Sequence, residues 1–250
     1  MTIEAIKHRT TPLLGLYVCS SDPNLVEIAA RAGIGYIRID LEHGMLSYAE
    51  VRELIRTASL WNIDVQVRVS DLSDVTRMLD FGVNAIIVPD IEAREDAERA
   101  VRMVKYAPLG ARGFNNAPRF LQFSSDGFMD YLKTANDSTM LIIQLESRQA
   151  LDNIDEILSV PGIDAVSSGK GDLSQSYGLL GQNTHPQILE KEAFIIQKAV
   201  EHGKLPTALS TGCERTQQLL QAGVRMITIG SDMDVYAAAI RMALKKHAGE

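Results

Sequence analysis

Short apolar runs alternate with segments of helical spacing along almost the whole chain. The runs have the length of strands, and in the longer segments apolar residues recur every three to four positions, so the pattern predicts repeated strand-then-helix units. The apolar runs fall at residues 12–18, 35–40, 63–69, 84–88, 140–143, 163–166, 206–210 and 225–229. Eight such units in 250 residues predict an α/β protein with a (β/α)8 TIM barrel. A doubly wound open sheet is the alternative, but no G-x-G-x-x-G sequence follows the first strand.

Three segments depart from this alternation. Residues 1–11 are polar and are expected to be peripheral, and residues 175–186 are expected to form a long loop. Residues 107–137 are rich in Gly, Asn and Phe, and a long interruption of this kind is usually functional, so we expect a lid or a partner contact there. With 46% hydrophobic residues, the chain is expected to form a single barrel domain over residues 1–250.

Composition narrows the classes of partner. The 25 Lys and Arg against 32 Asp and Glu give a net charge of −7 without a basic stripe, which argues against nucleic acid. No apolar run approaches membrane-spanning length and the first residues lack an apolar signal segment, so we expect a soluble, cytoplasmic protein with no membrane partner. Cys19 and Cys213 are too few for a disulfide framework or a thiolate metal site, and buried or semi-buried thiols are expected.

The stretch from Met140 to Ser174 carries the strongest chemical signal. It reads as strand, helix, strand, and a right-handed crossover places the two strands parallel and adjacent. Glu146 and Asp172 then follow neighbouring strands and should meet at the carboxyl rim, where parallel α/β folds bind ligands. With Gln144, these side chains suit a hard divalent cation that holds an oxygen-rich ligand. From spacing alone, it is equally possible that Glu146 and Asp172 are ordinary solvated acids in loops.

Three further residues are candidates for the same rim. His43 follows strand two, and its imidazole could act as a general acid and base at neutral pH. Arg68 ends strand three and could bind a substrate carboxylate or an enolate oxygen; a structural salt bridge to a rim carboxylate is the alternative. Asp80 lies in the following helix, and spacing alone favours an ordinary helix residue there.

An ordered set of short motifs resembles the HpcH/HpaI aldolases, which are metal-dependent class II pyruvate aldolases. The resemblance covers about residues 13–245, and the ordered set is much more specific than any one motif. In chain order the motifs are IDLEH at 39–43, VR at 67–68, LD at 79–80, PLGARG at 108–113, QLE at 144–146, GDLS at 171–174, HP at 185–186 and GSD at 230–232.

The resemblance implies a (β/α)8 barrel of the phosphoenolpyruvate/pyruvate-binding type and a divalent ion such as Mg, Mn or Co. It also implies a homohexamer, a trimer of dimers that exchange C-terminal helices. The last helix, from residue 235, is apolar on much of its circumference and is similar to the exchanged helix. The partners implied are a small 2-oxo acid, pyruvate or oxaloacetate, and an aldehyde.

The resemblance also implies roles for the candidate residues. Glu146 and Asp172 would be the metal ligands. Gln144, with the backbone of Gly171 and Asp172, would bind the pyruvate unit. In the catalytic set, His43 would be the acid/base, Asp80 would raise its basicity and Arg68 would stabilise the enolate.

Three features differ from the family pattern and bear on the substrate. Lys170 stands beside the carboxylate-binding turn and either binds a second acid group of the substrate or points to solvent. The segment 114–119 differs from the lids of other members, and Arg38 is unusual inside an apolar strand.

Three hypotheses of function follow. The first is reversible retro-aldol cleavage of a 4-hydroxy-2-oxo acid to pyruvate and an aldehyde. The second is a related enzyme that condenses or decarboxylates oxaloacetate, as in citrate-synthase-like or siderophore chemistry. The third is a non-catalytic binder of 2-oxo acids, against which the complete set of candidate residues argues.

Overall fold

Eight parallel strands form one closed barrel in the computed structural model, which describes residues 3–115, 118–121, 124 and 126–248. The strands are β1 Leu13–Val18, β2 Tyr36–Asp40, β3 Asp64–Arg68, β4 Ala85–Val88, β5 Met140–Leu145, β6 Ala165–Ser168, β7 Leu205–Leu209 and β8 Met226–Ser231. Each strand pairs with its neighbour in chain order, and β8 pairs with β1. The predicted (β/α)8 barrel is therefore confirmed, and the open sheet is excluded.

Helices separate the strands and surround the barrel. They are α1 Ile3–Lys7, α2 Pro23–Arg31, α3 Tyr48–Leu60, α4 Val75–Phe81, α5 Arg94–Val104, α6 Phe128–Ser138, α7 Arg148–Asp152, α8 Ile154–Leu158, α9 Lys170–Ser176, α10 Pro186–Glu201, α11 Cys213–Gln221 and α12 Asp232–Ala248. Among the described residues, no helix is long and apolar enough to cross a membrane.

Local sequence signals set several helix boundaries. Asp22 caps α2 by accepting a hydrogen bond from the backbone N–H of Asn24, with Pro23 in the first turn. Ser47 and Glu50 form a reciprocal capping box at the start of α3. Gly82 ends α4 in the left-handed region, at a φ of 97°, which favours glycine.

The amino-terminal helix closes the bottom of the barrel. Ile6 of α1 is buried against Leu13, Tyr36 and Met226 at the amino ends of the strands. The expectation that residues 1–11 are peripheral is therefore wrong for Ile6, because one apolar side chain in a polar segment covers the open end of the core. Short α9 was also not predicted, since its sequence lacks an apolar stripe and reads as a turn.

Where it is described, the segment from 107 to 137 contacts α4 through Asn115 and Asp80 and packs against its own helix α6. The Arg112 guanidinium lies 4.7 Å from the centroid of the Tyr106 ring, and Phe114 meets Phe128 of α6 edge-on at 4.8 Å between centroids. Its role as a lid stays a prediction. Five of its residues lie outside the described ranges: Asn116, Ala117, Gln122, Phe123 and Ser125.

A buried ion pair ties this segment to the barrel. Lys105, just after α5, is 1% exposed, and its Nζ lies 2.6 Å from Asp164 Oδ2. The same ammonium donates to the carbonyl oxygens of Asn136 and Thr139. Burial raises the pKa of Asp164, and the nearby Lys105 charge opposes that rise.

We expect Lys105→Met to lower the free energy of unfolding by about 3 kcal/mol or more, because it leaves the Asp164 carboxylate buried without its cation. Urea denaturation would measure the change. Lys133→Met is the matched control, since Lys133 and Asp130 form an exposed pair, and we expect a change within about 0.5 kcal/mol. Equal effects of the two substitutions would contradict the structural role of Lys105.

Candidate active site

The carboxyl ends of β2 and β3 place an arginine between two acids. Asp40 and Arg68 are register partners, and Arg68 donates from Nε and Nη2 to the two oxygens of Asp40. Arg68 Nη1 lies 2.8 Å from Glu42 Oε2. Burial alone would raise the pKa of Asp40, but the hydrogen bond and charge of Arg68 hold it below its usual value. The salt-bridge alternative for Arg68 is thus present, and its enolate role stays a prediction.

His43 lies in the loop after β2 at the open side of this cluster. Its ring is 64% exposed, with Nε2 3.8 Å from Glu42 Oε2. Its backbone N–H donates to Asp40 Oδ1 at 3.4 Å. The loop therefore holds an accessible imidazole near the Arg68 cluster, which a general acid and base requires.

Asp80 lies on α4 and faces the segment after α5. Its Oδ2 accepts a hydrogen bond from Asn115 Nδ2 at 2.9 Å, and its Oδ1 lies 3.9 Å from Arg112 Nη2. In the described part of the chain, the structure gives no contact between Asp80 and His43. The predicted support of His43 by Asp80 therefore has no counterpart within a single chain and stays a prediction.

Glu146 is a buried carboxylate at the end of β5. It is 5% exposed and accepts hydrogen bonds from Gln144 Nε2 at 2.6 Å and from the backbone N–H of Asp90 at 3.0 Å. Burial raises its pKa to about 7, and the charges of Asp172 and Asp90 add to the rise. A Cβ at position 169 would collide with Glu146 Oε2, so Gly169 lets the β6 turn approach the carboxylate.

Asp172 lies in the first turn of α9, which follows β6 directly. It is exposed, and its charge acts on Glu146, so the structure brings together the two acids that spacing predicted. Gly171 beside it is exposed, and a Cβ there would meet no atom within 4 Å. The backbone at 171–172 is therefore accessible to a ligand.

The oxygen donors of Glu146, Asp172 and Gln144 fit a hard divalent cation. A buried carboxylate with a raised pKa gains most from a bound cation, which favours its charged form. No group of three His, Cys, Asp or Glu side chains is arranged for a metal within the described ranges. A cation bound by Glu146 and Asp172 would therefore complete its coordination with oxygens of a ligand or of water.

Lys170 occupies neither of the two positions considered for it. Its Nζ donates to Glu192 Oε2 at 3.2 Å, and Arg215 Nη2 donates to the same oxygen at 2.7 Å. Glu192 is fully buried on α10, and Ser168 Oγ lies 3.4 Å from its other oxygen. Lys170 thus holds the turn after β6 in place. The acidic residue in the apolar stripe Ile188, Glu192, Ile195 is a signal that sequence reasoning missed.

Asp90 was missed, and the two cysteines were misjudged. Asp90 has a φ of 54°, uncommon outside glycine, and its N–H contacts Glu146, but its sequence context at the end of β4 carries no chemical motif. Cys19 and Cys213 are exposed free thiols, so the expected burial is wrong. Asp232 accepts hydrogen bonds from the backbone of Cys19 and Ser20 and thereby joins the ends of β1 and β8.

The raised pKa of Glu146 predicts a pH dependence of stability in chelator-treated protein. The folded state holds a proton on Glu146 up to about pH 7, whereas the unfolded chain releases it near the ordinary value of 4.5. The free energy of unfolding should therefore fall as pH rises through this window, by about 3 kcal/mol at most.

Urea denaturation at several pH values would compare the wild type with Glu146→Gln. The variant cannot ionise at this position, so its stability should decline less between pH 5 and pH 7.5. Parallel pH profiles of the two proteins would show that Glu146 ionises normally in the fold.

Comparisons with known proteins give a consistent assignment. The family model described as HpcH/HpaI aldolase/citrate lyase matches residues 13–239. The chain is 32% identical to 2-dehydro-3,6-dideoxy-6-sulfogluconate aldolase of Pseudomonas putida over 91% of its length and 89% of the relative. It is 33% identical to hydroxypyruvate/pyruvate aldolase of Deinococcus radiodurans, covering 92% and 83% of the two chains. The solved structure of citrate synthase SbnG superposes with a TM-score of 0.86 at 30% identity, covering 97% and 98% of the chains.

Proposed function

The chain belongs to the HpcH/HpaI aldolase/citrate lyase family and is a carbon–carbon lyase, and from that premise we propose its substrate and site. We propose that it reversibly cleaves a 4-hydroxy-2-oxo acid to pyruvate, or a close 2-oxo acid, and an aldehyde. The observation that carries the proposal is the buried Glu146 carboxylate, held by Gln144 and Asp90 and adjacent in charge to Asp172.

Glu146 and Asp172 would hold a divalent cation such as Mg, Mn or Co. When bound, the cation supplies Lewis-acid stabilisation of negative charge on the substrate. The hydrogen bond from Gln144 and the N–H of Asp90 fix the Glu146 carboxylate in position before any ligand arrives.

The 2-oxo acid would bind between the ends of β3 and β6. Gln144 and the accessible backbone of Gly171 and Asp172 would bind its carboxylate end. Arg68 would face the C2 oxygen, which becomes negative as the C3–C4 bond breaks and its electron pair forms the C2–C3 double bond. Asp40 and Glu42 orient the guanidinium for this task.

His43 would transfer the proton of the C4 hydroxyl. In cleavage it removes this proton as the aldehyde forms, and in condensation it returns the proton. Its exposure and its position beside Glu42 support this role. We propose that Asp80 supports His43, as the resemblance implies, although its contacts within the chain are Arg112 and Asn115.

A second candidate is the condensation or decarboxylation of oxaloacetate. The similarity to citrate synthase SbnG supports it. The same enolate chemistry would operate, with a different electrophile or leaving group. Turnover of oxaloacetate without cleavage of any hydroxy-oxo acid would favour this candidate.

We expect metal-stripped protein to release no pyruvate from a panel of racemic 4-hydroxy-2-oxo acids, and added Mg, Mn or Co to restore release. Coupling to lactate dehydrogenase measures it. His43→Ala should lower kcat about 100-fold or more, because a positioned acid/base contributes that much. Glu146→Gln should lose metal-dependent activity.

His8→Ala is the matched control, since His8 is an exposed histidine beside α1 at the opposite end of the barrel. Its activity should equal that of the wild type. Cleavage that survives chelation would contradict the proposal. Stabilisation by pyruvate and metal, with no turnover of the panel or of oxaloacetate, would instead indicate a binding protein.

The last helix supports an oligomer. Large apolar side chains of α12 are 42–72% exposed, and the helix packs against β1 and β8. The exposed residues include Met233, Val235, Tyr236, Ile240, Met242 and Leu244. We propose that a second copy of the chain covers them, in the hexamer of exchanged helices that the resemblance implies.

Two free thiols suit the reducing cytoplasm, which we propose as the location of the protein.

Light scattering should give about 165 kDa, six times the chain mass of 27.5 kDa. Ile240→Glu should lower this mass, because a charge would replace an apolar contact. Lys246→Glu, at the polar end of α12, is the control and should keep the wild-type mass. A monomeric mass for the wild type would refute the oligomer.

A further inference from the structure

Arg38 is a buried cation whose partners are uncharged. It lies on β2, is 4% exposed and points into the barrel. The other buried cations near the strands have acidic partners: Arg68 contacts Asp40 and Glu42, and Lys105 contacts Asp164. For Arg38, no carboxylate ion pair is found in the described part of the chain. A buried charge without an opposite charge is costly, so a compensating function is expected.

The contacts of Arg38 are specific. Its Nε and Nη2 donate to Gln66 Oε1 at 3.0 and 2.9 Å, and its Nη1 donates to the hydroxyl oxygen of Tyr17 at 3.3 Å. The guanidinium carbon lies 5.4 Å from the centre of the Tyr17 ring. Strand register places the three residues side by side on β1, β2 and β3. Arg38 therefore fixes the position of the Tyr17 phenol.

Among the described residues, the Tyr17 hydroxyl has no acceptor for its own hydrogen. Because its oxygen accepts from Arg38, its own O–H can donate to a further acceptor, and accepting a bond from a cation strengthens that donor. Tyr17 is half-buried, and it lies within electrostatic range of both Arg38 and Arg68. Register places Arg68 two residues beyond Gln66, toward the carboxyl rim.

We propose that the Tyr17 hydroxyl is a second hydrogen-bond donor, beside Arg68, to the negative oxygen of the bound 2-oxo acid, and that Arg38 is the positioning residue that orients it. The inference rests on the proposed function. In cleavage, the electron pair of the C3–C4 bond leaves the C2 oxygen negative, and a fixed O–H stabilises that charge without reorganisation. The site therefore favours a ligand with two adjacent oxygens, of which the one that faces Tyr17 and Arg68 carries a full negative charge.

Oxalate is the probe for this inference, because it is a planar dianion with the oxygen arrangement of a pyruvate enolate. Titration calorimetry would measure its binding to Mg²⁺-loaded wild type, Tyr17→Phe, Arg38→Met and the double variant. We expect each single substitution to weaken oxalate binding about tenfold, the scale of a hydrogen bond to a charged group. The double variant should bind as Tyr17→Phe does, because Arg38 acts through Tyr17.

Kinetics provide the second measurement. We expect Tyr17→Phe to lower kcat for pyruvate release about 100-fold with little change in KM, because the donor acts on charge that develops during cleavage. Tyr36→Phe is the matched control, since Tyr36 also points into the barrel but its hydroxyl contacts Thr228 near the bottom. It should bind oxalate and turn over substrate as the wild type does.

The outcomes separate this inference from the proposed function. Wild-type affinity for oxalate in Tyr17→Phe would overturn the inference while leaving the aldolase proposal intact. Additive losses in the double variant would overturn the positioning role of Arg38. If Arg38→Met fails to fold, Arg38→Lys replaces it, and it should retain more oxalate affinity than Tyr17→Phe does. A wild type that neither binds oxalate nor releases pyruvate would overturn the proposed function and this inference together.

Discussion

Closure of the eight parallel strands brings every strand's carboxyl end to one rim of the barrel. The pairing of β8 with β1 completes the ring, and Asp232 reinforces it by accepting hydrogen bonds from the backbone after β1. Groups more than 200 positions apart in the sequence thus become neighbours. The candidate site depends on this closure, because residues from β2, β3, β5 and β6 supply it.

The rim is held together by charges that neutralise one another. Arg68 is flanked by Asp40 and Glu42, while Glu192 holds Lys170 and Arg215 around the turn after β6. Breaking a buried pair of this kind leaves an uncompensated charge, so the network keeps the side chains of the candidate site in fixed orientations. Glu146 differs because its partners are neutral donors, which leaves its charge without an ion pair and suits its proposed role as a cation ligand.

Much of the fold follows from local patterns in the sequence. Each strand is a short apolar run, most of the longer helices have an apolar stripe, and caps such as Asp22 and Ser47 mark some helix starts, so element order and the barrel could be predicted. The proximity of Glu146 and Asp172 could be predicted too, because a single strand-helix-strand crossover links them. The family resemblance then supplied roles that spacing alone left open.

Side-chain partners that come from distant elements could not be predicted. The sequence does not show that Lys170 meets Glu192 from the next helix, that Asp80 faces Arg112, or that Cys19 and Cys213 are exposed. The sequence marked Arg38 as unusual without showing that Tyr17 and Gln66 accept its hydrogen bonds. Apolar periodicity therefore determined the elements and their order, because it depends only on the residues within each segment. Only tertiary structure decided these contacts, since they depend on register and helix packing between segments far apart in the chain.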